Sequence, residues 1–126
     1  MTIAFNILAL VAVGATGVMD WYGVEHSFFW IYPHWDVPTH ILAGLTIGFW
    51  AAAVSSRYKL PPRRAAFFII GLAFAVGVAW ELWEAIEGVG GGYGGYWFDT
   101  VKDLCDDAAG GFVALVLYVM MRGHTR

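Results

Sequence analysis

Four apolar runs, each close to the length that crosses a bilayer, take up most of this 126-residue chain. They cover residues 2–19, 37–56, 65–87 and 98–121. A spanning helix needs about 20 predominantly apolar residues. In hydrocarbon only helices and closed barrels satisfy every backbone amide. Composition agrees: 60% of residues are hydrophobic and 13% charged, against roughly 25% charged in an ordinary soluble domain. The expected fold class is all-α, an integral membrane four-helix bundle with short connections, forming a single transmembrane domain over residues 1–126. The first two runs are clean, whereas acids interrupt the third and fourth.

Some readings fall away at this stage. Residues 1–15 contain no Lys or Arg, whereas a secretory signal opens with a basic stretch. The first run is therefore expected to be a retained helix. The single cysteine, Cys105, rules out an internal disulfide. No basic patch with interleaved aromatics is present, so nucleic acid is not an expected partner. The lipid bilayer is.

Charge is sorted along the chain. Arg57, Lys59, Arg63 and Arg64 sit between the second and third runs, and Arg122 and Arg126 follow the fourth. Cytoplasmic loops carry such an excess. With four spans both clusters lie on one side, so both termini are expected in the cytoplasm and the protein in the cell's inner (plasma) membrane. Residues 21–36 and 88–97 are then the outer connections. The first holds Trp21, Tyr22, Phe28, Phe29, Trp30, Tyr32 and Trp35; the second holds Tyr93, Tyr96 and Trp97. Trp and Tyr favour the membrane–water boundary, so an interfacial belt or a short flat helix is expected there. The glycine-rich stretch from Gly88 stops the third helix. Gly44-x-x-x-Gly48 and Ala73-x-x-x-Gly77 allow close helix approach and are expected to seal this bundle rather than a dimer.

All ten acids fall on the outer side, six of the seven Lys and Arg on the other. The acids form helix-spaced arrays: Asp36-x-x-x-His40, Glu81-x-x-Glu84-x-x-Glu87, and Asp99-x-x-x-Asp103-x-x-Asp106-Asp107. At about 100° per residue, Asp99, Asp103, Asp106 and Gly110 share a narrow stripe, with Asp107 at its edge. Asp36, His40 and Gly44 make a second stripe, and Glu84 is the middle of the third array. At a rise of about 1.5 Å per residue, His40, Glu84 and Asp103 lie one turn below the outer surface. Glu81, Asp106 and Asp107 lie about two turns down. Ionisable groups in membrane helices are costly and face partners or cavities. Clustered carboxylates cannot all stay ionised without a counter-charge, and Lys102 is the only nearby base. The expectation is a divalent metal ion held by His40, Glu81, Glu84, Asp103 and Asp106, with Asp107 as a second candidate on the fourth helix. One His among carboxylates suits Mg, Mn, Ca, Fe or Zn. Asp36 and Asp99 also suit first-turn positions, and Asp20, Glu25 and Glu87 read as edge residues. His26 and His34 read as interfacial, His124 as tail, and Cys105 as packing.

The motifs Asp36-x-x-x-His40-x-x-x-Gly44, Trp80-Glu81-x-x-Glu84 and Asp99-Thr100-x-x-Asp103-x-x-x-Asp107-x-x-Gly110 resemble those of the YjdF-like bacterial inner-membrane proteins. More distantly, the arrangement is similar to that of VanZ-like proteins. The resemblance implies a multi-helix membrane fold and marks the same acids, but supplies no reaction. Three functions follow from the residues. A metal-dependent enzyme would act on a lipid-like substrate, with Glu81 or Glu84 as base. A non-catalytic subunit would use the site to bind a structural ion or a membrane protein partner. A proton or cation pathway would need a polar track through the inner half, where Asn6, Thr46 and Ser55 are thin material for a conduit.

Overall fold

The computed structural model describes residues 1–32, 34–88 and 95–123, and these form five helices with no strand among them. The long ones are α1 (Thr2–Glu25), α3 (Asp36–Arg57), α4 (Pro62–Glu87) and α5 (Tyr96–Gly123). All four are long and apolar enough to cross a membrane. The shortest, α3, has 22 residues, about 33 Å at the helical rise, against a hydrocarbon layer of about 30 Å. The short helix α2 (Phe28–Ile31) lies in the aromatic connection, where a short helix was expected. Tyr93, His124 and Arg126 lie outside the described residues.

The helices run past the apolar runs because hydropathy and helix propensity end at different places. α1 continues beyond residue 19 to Glu25, which takes Asp20 into the helix. Nothing between them breaks a helix; the break comes at Ser27, in a left-handed conformation (φ 59). α4 starts three residues earlier than its run, at Pro62, since proline suits the first helical turn. It ends at Gly88 in a left-handed cap (φ 69), which glycine adopts without a Cβ penalty.

α3 packs against α1, α4 and α5, and α4 packs against α5. Small residues make this central position possible: Gly44, Gly48, Ala51, Ala52, Ala53 and Ser55 are all buried on α3. A Cβ on Gly48 would stand 2.6 Å from the Ala114 Cβ, and one on Gly111 would stand 2.8 Å from the Ala73 Cβ. Both small-x-x-x-small pairs thus face α5 of their own chain. Toward the basic end Phe5 is fully buried between Phe49 and Tyr118, with ring centroids 6.1 and 6.0 Å apart. Ile69 and Ala114 complete this apolar layer. Large side chains such as Ile3, Leu10, Phe67, Ile86 and Phe112 point outward. In a membrane these meet lipid rather than water, so their exposure is not a defect of packing.

The helices alternate in direction, so like ends gather. Arg122 at the end of α5 donates to the Leu60 carbonyl in the α3–α4 turn (2.8 Å). The acids gather at the opposite end.

Candidate functional site

α5 buries one stripe: Asp99, Asp103, Asp107, Gly110, Gly111, Ala114 and Tyr118. The early spacing is four, not a mixture of three and four, so Asp107 takes the centre and Asp106 turns aside. The cause lies on the neighbouring helices. A Cβ on Gly44 would overlap the Asp107 backbone carbonyl, and one on Gly77 would overlap its carboxylate. Two glycines, one on α3 and one on α4, leave the space that Asp107 fills. A hydropathy pattern on α5 alone carries no trace of that.

His40 on α3 stands between two of these acids. Its Nδ1 is 3.4 Å from Asp107 Oδ2, and its Nε2 is 3.7 Å from Asp103 Oδ2. Asp103 and Asp107 are each 3% exposed, and the His40 side chain is 12% exposed. Lys102 meets Asp103 from the other side, through Oδ1. It also donates to Asp36 Oδ2 (3.0 Å) and lies 3.6 Å from Asp106 Oδ2. One ammonium thus joins three carboxylates on two helices. The i,i+4 relation to Asp106 was readable in the sequence. The link to Asp36, 66 residues away, was not.

Glu81 on α4 completes the group at 5% exposure. Its Oε1 is buried and makes no hydrogen bond among the described residues. The Thr100 hydroxyl stands at the carboxylate as a hydrogen-bonding neighbour, Glu84, Asp103 and His40 are its charged neighbours, and its own backbone carbonyl accepts from the Tyr96 hydroxyl (3.3 Å). Glu84 is only half-buried, and its Oε1 accepts a hydrogen bond from Trp80 Nε1 (2.9 Å). Asp20 on α1, read from sequence as an edge residue, lies within electrostatic reach of His40.

Of the six candidates, the structure brings His40, Glu81 and Asp103 together, with one potential ligand atom from each within 4.8 Å of the others. Asp107 backs His40, Asp106 joins the Lys102 network, and Glu84 stands outside the group. Asp36, Asp99 and Asp103 form a second group within the same distance, and two of its members already pair with Lys102. Cys105 is exposed rather than packed.

The aromatic connection folds onto the same end. Tyr22, His26, Phe28, Tyr32 and Trp35 form a continuous set of ring contacts, with His26 4.1 Å from Tyr22. Gly23 admits them: a Cβ there would stand 2.6 Å from Phe29.

A family model described as "Predicted membrane protein (DUF2238)" matches residues 1–124. No curated protein and no solved structure matches the chain.

Proposed function

The chain belongs to that family of predicted membrane proteins, and we propose that its acidic end is a divalent-cation centre built by His40 Nε2, Glu81 and Asp103 Oδ2. The observation that carries this reading is the Glu81 carboxylate. A buried charge that is only partly satisfied costs free energy, and Glu81 Oε1 has no hydrogen-bond partner among the described residues, with Thr100, a histidine and a second carboxylate beside the group. A cation among them removes that cost. The spacing supports the same reading. Two ligands about 2.1 Å from a tetrahedral ion stand about 3.4 Å apart, close to the 3.7 Å between His40 and Asp103.

The surroundings suit such an ion. Metal-binding histidines commonly give their other nitrogen to a carboxylate, which fixes the ring, and Asp107 stands at His40 Nδ1. Lys102 takes the other oxygen of Asp103, so Oδ2 keeps its lone pairs. An imidazole beside two carboxylates favours Mn, Fe or Zn over Ca. Three protein ligands leave a coordination position open. A phosphoryl or acyl oxygen of a lipid-like substrate could occupy it, with the ion as Lewis acid and Glu84, which is not among the three ligands, as a base on the same helix as Glu81. A through-going proton or cation pathway has less support, since the Phe5, Phe49, Ile69 and Ala114 layer separates the acids from the basic end.

The three shared motifs support placing the family among the YjdF-like proteins. The basic end supports cytoplasmic termini in the inner membrane, by the excess of Lys and Arg in its loops. Elemental analysis of the purified protein by mass spectrometry tests the centre. The expected result is about one transition-metal ion per chain, lost in Glu81→Gln and Asp103→Asn. Metal-free protein, with stability unchanged in both variants, would overturn it.

A further inference from the structure

The basic end holds a second feature that the acidic centre does not explain. A cleft of about 470 Å³ opens there, lined by Thr2, Ser55, Ser56, Lys59, Tyr118 and Arg122 among others. It lies between the start of α1 and the ends of α3 and α5. Its polar side chains are lopsided: Lys59, Arg122 and four hydroxyls line it, and none of the chain's ten Asp and Glu residues does.

The serines are the telling residues. A hydroxyl in a membrane helix normally bonds the carbonyl four residues back. Thr16 does so to Ala12 and Thr46 to Leu42, each at 2.9 Å. Ser55 and Ser56 do not. Among the described residues both hydroxyl oxygens are buried without a hydrogen-bond partner, and Ser55 as a whole is 0% exposed. A buried hydroxyl without a partner carries an uncompensated desolvation cost. The carbonyls of Val54, Ser55 and Ser56 accept from the amides of Tyr58, Leu60 and Lys59, and the Leu60 carbonyl accepts from Arg122. Arg122 is held in place by that bond and by a second to the Tyr118 hydroxyl (2.9 Å). Lys59 is brought to the cleft by a tight turn in which it adopts a left-handed conformation (φ 52). The cleft therefore sets hydroxyl donors beside Lys59 and Arg122.

We infer that this cleft is an anion site that binds a phosphate group, the serine hydroxyls donating to its oxygens and Lys59 balancing its charge. Such a group comes from an anionic phospholipid headgroup or from free phosphate. Basic recesses between helices at the cytoplasmic boundary suit lipid headgroups, and the cleft lies at the helix ends, where headgroups sit.

Native mass spectrometry of protein released from nanodiscs of equal phosphatidylglycerol and phosphatidylcholine tests this. One phosphatidylglycerol should be retained in preference to phosphatidylcholine. Ser55→Ala removes the buried hydroxyl without adding volume, and Lys59→Gln changes an exposed side chain, so both variants should fold. Each should lower phosphatidylglycerol occupancy by about tenfold, the worth of one hydrogen bond to a charged group. Displacement by excess inorganic phosphate would support the site with free phosphate as a ligand; resistance would support it with the lipid as the ligand. Equal retention of both lipids, or unchanged occupancy in both variants, would overturn the inference. Metal content should be unaffected by either variant, which keeps this result separate from the acidic centre.

Discussion

Gly44→Ala concentrates the packing logic of this bundle into one methyl group. The added Cβ would overlap the Asp107 carbonyl oxygen and stand 2.8 and 2.9 Å from the Asp107 carbonyl carbon and Cα. All three atoms are backbone, so no side chain can rotate away. Ordinary contact begins at 3.4 Å, and the overlap with the carbonyl oxygen is the deepest of the three, so α3 and α5 must separate by about 1 Å. A gap of 0.5–1 Å forfeits about a quarter to a half of each dispersion contact across the seam. Overpacking of this kind costs about 1–3 kcal/mol. Alanine also returns about 1 kcal/mol of helix propensity, which a control must remove. Gly71→Ala is that control, since a Cβ there meets nothing within 4 Å. The difference between the two variants then isolates the clash at about 1–3 kcal/mol. Reversible unfolding in mixed micelles measures it. The same separation draws Asp107 away from His40 Nδ1, now 3.4 Å away, so metal content should fall in Gly44→Ala alone. Equal stability and equal metal content in the two variants would refute both the close seam and the role of Asp107 behind His40.

Two further outcomes follow. Lys102→Met removes the cation shared by Asp36, Asp103 and Asp106 and should cost about 3 kcal/mol in the same unfolding assay, because breaking a buried pair strands its partner; adding Asp36→Asn should recover part of the loss, and an undiminished single variant would show that the network is not stabilising. A reporter fused after Arg126 should remain cytoplasmic, and its export would overturn the proposed orientation.

The elements and the site differ in how far each could be read in advance. Helices follow from the length and hydropathy of a segment, and both properties lie within ten or twenty neighbouring residues. All four spans were therefore legible, with errors at the ends where Pro62 and Asp20 obey helix chemistry rather than hydropathy. The acidic stripes were legible for the same reason, since spacing along one helix places side chains on one face. Their ranking was not. Asp107 reads as an edge residue on α5 and Glu84 as the middle of its array. Yet the buried positions belong to Asp107 and Glu81. Asp20 reads as a boundary residue and yet reaches His40. Each reassignment depends on a second helix, through the room at Gly44 and Gly77 or the turn of α4 against α5.

The sequence by itself determined that the chain is a set of membrane helices with acids at one end and bases at the other. Apolar length and charge sorting are properties of the chain read in order, and a bilayer imposes the rest. The tertiary structure decided which acids meet. It set the rotation of each helix about its axis through glycine contacts between α3, α4 and α5. It also carried the Lys102 ammonium across to Asp36, and it buried Glu81 Oε1 and the Ser55 and Ser56 hydroxyls without a hydrogen-bond partner among the described residues. Those choices rest on contacts between residues far apart in the chain, where spacing along one helix holds no information.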